Sequence, residues 1–248
     1  AAGAGASEEE QQRWLEIAEA LADGYDEQTG LYEQFAGFFG LEPLVIADLA
    51  PRRPIAADLL LGRERVAGAQ VVKQADVLML HHLVPGEVGP GSLGPNLAFY
   101  EPRTAHGSSL SPPVHASLLA RAGRLDEALA ALRLAARIDL DDVTRTTASG
   151  LHLATMGGLW QALAYGFAGL RPAGAALELD PRLPDGWRAL ELRVRFRGTA
   201  VRVRIEHGLL RLETDGPVTV AVAGGVPLGV DGVALLERRR DGWQEIPA

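Results

Sequence analysis

The stretch Ala189-Leu190-Glu191-Leu192-Arg193-Val194-Arg195-Phe196-Arg197-Gly198-Thr199-Ala200-Val201-Arg202-Val203-Arg204-Ile205 decides the fold. Leu190, Leu192, Val194 and Phe196 alternate with Glu191, Arg193, Arg195 and Arg197, and Val201, Val203 and Ile205 alternate with Arg202 and Arg204. A period of two reads as half-buried strands, and Gly198 with Thr199 reads as the hairpin turn between them. Shorter apolar runs at 209–213, 218–222 and 226–236, punctuated by Gly and Pro, continue the pattern. Residues 176–248 are therefore expected to form a small antiparallel β domain. Its alternating arginines offer either a solvated sheet face or a surface for an acidic ligand.

Upstream of about residue 176 the period is helical. Trp14, Leu15, Ala18 and Leu21 place a helix over 8–23, with an acidic first turn that suits the helix dipole and Gly24 as its stop. Residues 1–7 read as a frayed end. Residues 24–62 and 85–110 read as two long loops, a length more often functional than incidental. Between them, 64–84 reads as a helix apolar on nearly every face. Ser111 is expected as an N-cap with Pro112 at the first helical position, opening a hairpin of helices over 111–122 and 124–138. A last helix covers 151–168. The fold class is mainly α, with a helical domain over 1–175 and a β domain over 176–248.

The chain has 248 residues and a net charge of −8, and 47% of it is apolar. This is a globular composition, and the acidic balance argues against a nucleic-acid or anionic-membrane binder. The longest apolar run, 77–84, is too short to span a bilayer. With no cysteine, disulfides, thiolate metal sites and cysteine nucleophiles are excluded. No signal peptide opens the chain, and a cytoplasmic location is expected. Of the 24 basic residues only Lys73 is a lysine.

Two constellations carry chemistry. His106-Gly107-Ser108-Ser109-Leu110-Ser111 leads into a helix, whose N-terminal amides and dipole attract anions. Gly107 permits close backbone approach, and His106, Ser108 and Ser109 add donors. The reading is a phosphate pocket or an ordinary capped helix. Lys73-Gln74-Ala75-Asp76 lies within the apolar 64–84 helix. Either Lys73 pairs with Asp76 at i,i+3, or Lys73 and Gln74 face a polar cavity. His81, His82, His106, His115, His152 and His207 show no metal-ligand spacing, and no metal site is expected.

These motifs fall in an order with a precedent: Tyr25-Asp26-Glu27 with Thr29-Gly30; Glu33-Gln34-Phe35-Ala36-Gly37-Phe38-Phe39; Lys73-Gln74-Ala75-Asp76-Val77; Tyr100-Glu101-Pro102-Arg103-Thr104 running into the 106–111 loop; Gly150-Leu151-His152 with Met156-Gly157-Gly158-Leu159-Trp160; and Pro181-Arg182-Leu183-Pro184 with Trp187. The chain resembles the C-terminal part of glycoside hydrolase family 65, the maltose, trehalose, kojibiose and nigerose phosphorylases and some hydrolases. The resemblance implies the later helices of an (α/α)6 barrel followed by a β-sandwich domain. It implies inverting phosphorolysis of an α-linked glucose disaccharide to β-glucose 1-phosphate, with inorganic phosphate as co-substrate and no cofactor. Lys73 and Gln74 would line the glucose site, and Lys73, His106, Ser108 and Ser109 would hold phosphate. The family's general acid is a glutamate in a motif upstream of these, with no counterpart here, so no catalytic residue is assigned and the chain alone is expected to be inactive. The family usually has an acidic residue where Gly107 stands. A hydrolase of the same family and a non-catalytic carbohydrate-binding or scaffold remnant are the alternatives. A hydrolase needs a carboxylate to activate water, and none lies between Thr104 and Ser111.

Overall fold

The structure is a computed structural model and describes residues 5–51 and 54–247. Of the frayed end expected over 1–7, residues 1–4 lie outside the described residues. Ser7 instead caps α1 (Glu8–Ala20) through a reciprocal capping box with Glu10. The helical part continues through the hairpin β1 (Tyr25–Asp26) and β2 (Leu31–Tyr32), then α2 (Ile46–Leu49), α3 (Ala57–Leu61), α4 (Arg63–Ala67), α5 (Asp76–Leu83), α6 (Leu93–Tyr100), α7 (Ser111–Arg121), α8 (Leu125–Arg137) and α9 (Leu153–Gln161). A π-helical turn over Ala162–Phe167 extends α9.

Two expectations fail here. The 64–84 helix breaks after Ala67. Gly68 ends α4, and Val72 pairs with Thr104 in a parallel bridge, donating to Arg103 O at 2.9 Å and accepting from Ala105 N at 2.8 Å. An apolar run rich in valine suits strand pairing as well as helix, and the long-range partner decides. The 85–110 loop contains α6. Gly94 and Pro95 suggested a loop, but Pro95 lies in the first turn, where a missing N–H costs nothing.

Residues beyond 170 are strands: β3 (Arg171–Ala173), β4 (Ala176–Leu179), β5 (Ala189–Phe196), β6 (Thr199–Glu206), β7 (Leu209–Thr214), β8 (Val218–Val222), β9 (Leu228–Val230), β10 (Val233–Arg239) and β11 (Gly242–Ile246). They form a five-stranded sheet in the order β11-β10-β7-β6-β5 and a four-stranded sheet in the order β3-β4-β8-β9. The deciding stretch is the β5–β6 hairpin, with Phe196 opposite Thr199. Its turn residues are Arg197 (φ 50°) and Gly198 (φ 92°), one position earlier than expected, both with the positive φ that matches strand twist. The pairing is antiparallel except that β4 runs parallel to β8, which corrects the all-antiparallel expectation. The strands open at Arg171 rather than 176, because β3, three residues long and holding Pro172, is too short to show a period. With both element types well represented, the fold is mixed helix and sheet rather than mainly α.

One core runs through both parts. Phe38, Tyr100, Leu118 and Phe167 from the helical side join Leu177, Val203, Leu210 and Val220 from the sheets. Helix α7 is its axis, buried at every position from Ser111 to Ala120. The arginines of β5 and β6 form a solvated face: Arg202 pairs with Glu191 at 2.9 Å, and Arg193 and Arg204 lie within 4 Å of the same carboxylate. Apolar side chains remain exposed on the helical part. Helix α1 buries none of its residues, leaving Trp14, Leu15 and Ile17 half exposed, and Leu59, Leu83, Leu153 and Trp160 add to this surface. Among the described residues no helix is long and apolar enough to cross a membrane.

Candidate functional site

The Val72–Thr104 bridge does more than interrupt a helix. It runs the segment entering Lys73-Gln74 alongside the segment entering His106-Gly107, although more than thirty residues separate them in sequence. The consequence is visible at Gly107. A Cβ built there would lie 3.4 Å from Lys73 Cγ, 3.9 Å from Lys73 Cε and 3.3 Å from Ile55 O. Glycine thus lets the lysine stem lie against the loop that presents Ser108 and Ser109. Lys73 is exposed and sits in the bend before α5, not on a buried helix. Nor does it pair with Asp76, whose two carboxylate oxygens accept from Gln34 Nε2 at 2.6 Å and Gln74 Nε2 at 3.3 Å. The Lys73 ammonium has no ion-pair partner among the described residues.

Ser108 and Ser109 are half-buried in the loop. Ser108 O accepts from Ser111 N at 3.3 Å and from Ser111 Oγ at 3.0 Å, and Ser109 O accepts from Thr155 Oγ1 at 3.0 Å. Thr155 is fully buried on α9, so α9 and α7 clamp the loop from two sides. Ser111 is not the N-cap; it is the first residue of α7, after Leu110. The expectation that helix amides cradle an anion also needs correcting. Ser111 N is already bonded to Ser108 O, and Pro112 and Pro113 have no N–H to offer. The donors available to an anion are the serine hydroxyls, the loop amides and Lys73, with the helix dipole behind them.

His106 is placed differently from the serines. It adopts a left-handed backbone (φ 54°), is 7% exposed, and turns its ring edge-on to His115. Its Nδ1 lies 3.0 Å from Ser111 Oγ. Ser111 Oγ also bonds Ser108 O at 3.0 Å, so one hydroxyl joins the His106 ring to the serine loop. His106 therefore braces the loop from within rather than lining it beside Ser108 and Ser109. Glu101, His106 and His115 bring one ligand atom each within 4.8 Å of one another, a spatial group that spacing along the chain does not reveal.

His152 is the N-cap residue of α9 and only half-buried. Asp139 holds it twice, through Oδ1 to Nδ1 at 2.5 Å and Oδ2 to the backbone N at 2.8 Å. The bond with His152 keeps the Asp139 carboxyl below its ordinary range. His152 stands about one helical turn before Thr155, the residue that bonds Ser109 O. Asp139, two residues beyond the end of α8, followed by Gly150-Leu151-His152, was the available signal.

The model of the glycosyl hydrolase family 65 central catalytic domain matches residues 2–161, and that of the family's C-terminal domain matches 170–226. A kojibiose phosphorylase of Halothermothrix orenii is 32% identical over 202 residues, covering 81% of this chain and 26% of the relative. A maltose phosphorylase of Bacillus subtilis is 32% identical over 195 residues, covering 78% and 26%. A solved structure of a candidate kojibiose phosphorylase from the human microbiome superposes with a TM-score of 0.83 at 25% identity, covering 94% of this chain and 31% of that one. The chain thus spans between a quarter and a third of the length of these relatives.

Proposed function

The chain belongs to glycosyl hydrolase family 65, and from that premise we propose that it forms the phosphate side of an inverting α-glucoside phosphorylase. The relatives named above are disaccharide phosphorylases, which supports a phosphorylase-like role. The substrates are an α-linked glucose disaccharide and inorganic phosphate. A glutamate that lies in the family's upstream motif, outside this chain, protonates the glycosidic oxygen as its bond to the anomeric carbon breaks. A phosphate oxygen forms the new bond from the opposite face, giving β-glucose 1-phosphate and releasing the second sugar with the transferred proton.

This segment's own residues hold and aim the phosphate. Lys73 balances its charge, Ser108 and Ser109 donate to its oxygens, and Gln74 meets hydroxyls of the glucose ring. His106, through Ser111, keeps the serine loop in place. The observation that carries the reading is the lysine stem lying against Gly107, beside the two serines. The absence of a carboxylate between Thr104 and Ser111 favours phosphate over activated water, and so a phosphorylase over a hydrolase. The helices over 1–175 would be the later helices of an (α/α)6 barrel and 176–248 a β-sandwich. Support comes from the apolar faces that α1, α3, α5 and α9 leave open, and from the two sheets sharing one core.

The test pairs two measurements on the purified chain. Incubation with maltose, kojibiose or trehalose and phosphate should release no glucose 1-phosphate, while phosphate alone binds. Turnover by the chain would overturn the placement of the acid outside it. Absence of phosphate binding would overturn the phosphate-side role and leave a sugar-binding scaffold.

A further inference from the structure

A cavity of about 250 Å³ opens where the α7–α8 turn meets the strand part, sharing no residue with the Lys73 loop. Arg182, His207, Arg238 and Trp243 line it, with Gly123 on the helical side and Glu206 on the sheet. Its chemistry is unbalanced toward donors. Arg182 gives Nη2 to Asp180 at 3.1 Å, yet its Nε is buried without a hydrogen-bond partner. Gly123 leaves room beside Arg182: a Cβ there would lie 3.6 Å from Nη1. The Arg238 guanidinium is exposed at the mouth and has no ion-pair partner among the described residues. His207 directs Nε2 at Trp187 O, 3.0 Å away. The nearby carboxylates are taken, Asp180 by Arg182 and Glu206 by Arg204 at 2.7 Å.

A buried N–H with no acceptor is costly, and two guanidiniums around one opening favour an acceptor-rich anion. Trp243 sits across the β10–β11 pairing directly opposite Arg238. An indole beside a cationic donor suits a sugar ring whose attached phosphate reaches the arginines. We propose that this junction cavity is a second ligand site, for a phosphorylated hexose, with Arg182 and Arg238 on the phosphoryl oxygens and Trp243 flanking the sugar. It does not depend on the Lys73 loop being a phosphate site.

The experiment follows the Trp243 indole N–H resonance of the whole chain, assigned with Trp243→Phe. Titration with glucose 1-phosphate should shift it saturably. Arg238→Ala, an exposed position that leaves the fold intact, should weaken binding about tenfold or more. Arg182→Lys, which keeps charge but loses the fork, should weaken it too. The shift should persist in Ser108→Ala/Ser109→Ala, so failure of the loop reading and failure of this one are separable. No saturable shift at millimolar ligand overturns the proposal. So does equal binding of glucose, which removes the phosphate from the recognition, or equal binding of inorganic phosphate, which removes the sugar.

Discussion

Replacing Gly166 by alanine probes the packing that holds the serine loop. Gly166 lies in the π-helical turn after α9 and crosses α7 at Ser117, which is completely buried. A Cβ at 166 would sit 2.6 Å from Ser117 Cα and 3.0 Å from Ser117 O. Carbon atoms pack best at about 3.5–4.0 Å, so the two elements must part by roughly 1 Å. Helix α7 is walled in along its length and cannot retreat freely. Overpacking of this kind costs about 1–3 kcal/mol, which for a chain of this size lowers Tm by about 2–12 °C. Gly157, five residues before the π-helical turn and on the exposed side of α9, is the control, with nothing within 4 Å of a Cβ. Gly157→Ala should stabilise by about 0.8–1 kcal/mol through helix propensity. Calorimetry of the two purified variants against the parent chain reads both signs. A Gly166→Ala chain melting with the parent, or both variants shifting in the same direction, would refute the helix packing described here.

Two further outcomes follow from the clamps on the loop. Thr155→Val removes the hydroxyl that bonds Ser109 O, leaving that carbonyl with one partner fewer; it should destabilise by about 1–3 kcal/mol in denaturant titration and loosen Ser108 and Ser109 to amide exchange. Asp139→Asn concerns acid stability: the folded carboxyl lies below its ordinary range because it bonds His152. Its contribution is therefore present above the unfolded pKa of about 3.9 and lost as pH falls through the lower folded value. The stability gap between parent and Asp139→Asn, measured by denaturation at a series of pH values, should close on the acid side, and a gap that widens there would contradict the assignment.

What could be read from the chain was local. The β5–β6 hairpin showed itself because Leu190 to Ile205 alternate strictly, and α7 with α8 because an apolar period of 3.6 is broken at Ala122-Gly123. What escaped depended on distant partners. Val71-Val72 reads equally well as helix or strand until Thr104 supplies the bridge, and the parallel pairing of β4 with β8 joins Leu177 to Val220 across forty residues. Pro95 masked α6 because proline is read as a breaker before its position in the first turn is known. At the site, the types of residue were legible and their roles only partly so. The fold lays the Lys73 stem against Gly107, next in sequence to Ser108. The inward turn of His106 needs a positive φ at a residue other than glycine, and the fixing of His152 by Asp139 needs a fold; neither leaves a mark on spacing.

The central claim is that Lys73 and the two serines hold one phosphate. Isothermal titration of the purified chain with inorganic phosphate, repeated for Lys73→Ala, for Ser108→Ala and Ser109→Ala singly, and for the double serine variant, tests it most directly. Binding should be saturable, should weaken more in Lys73→Ala than in either single serine variant because a charge partner of a dianion is lost, and should fall steeply with added salt. Phosphate binding of the same strength in Lys73→Ala and in the double serine variant would contradict the account.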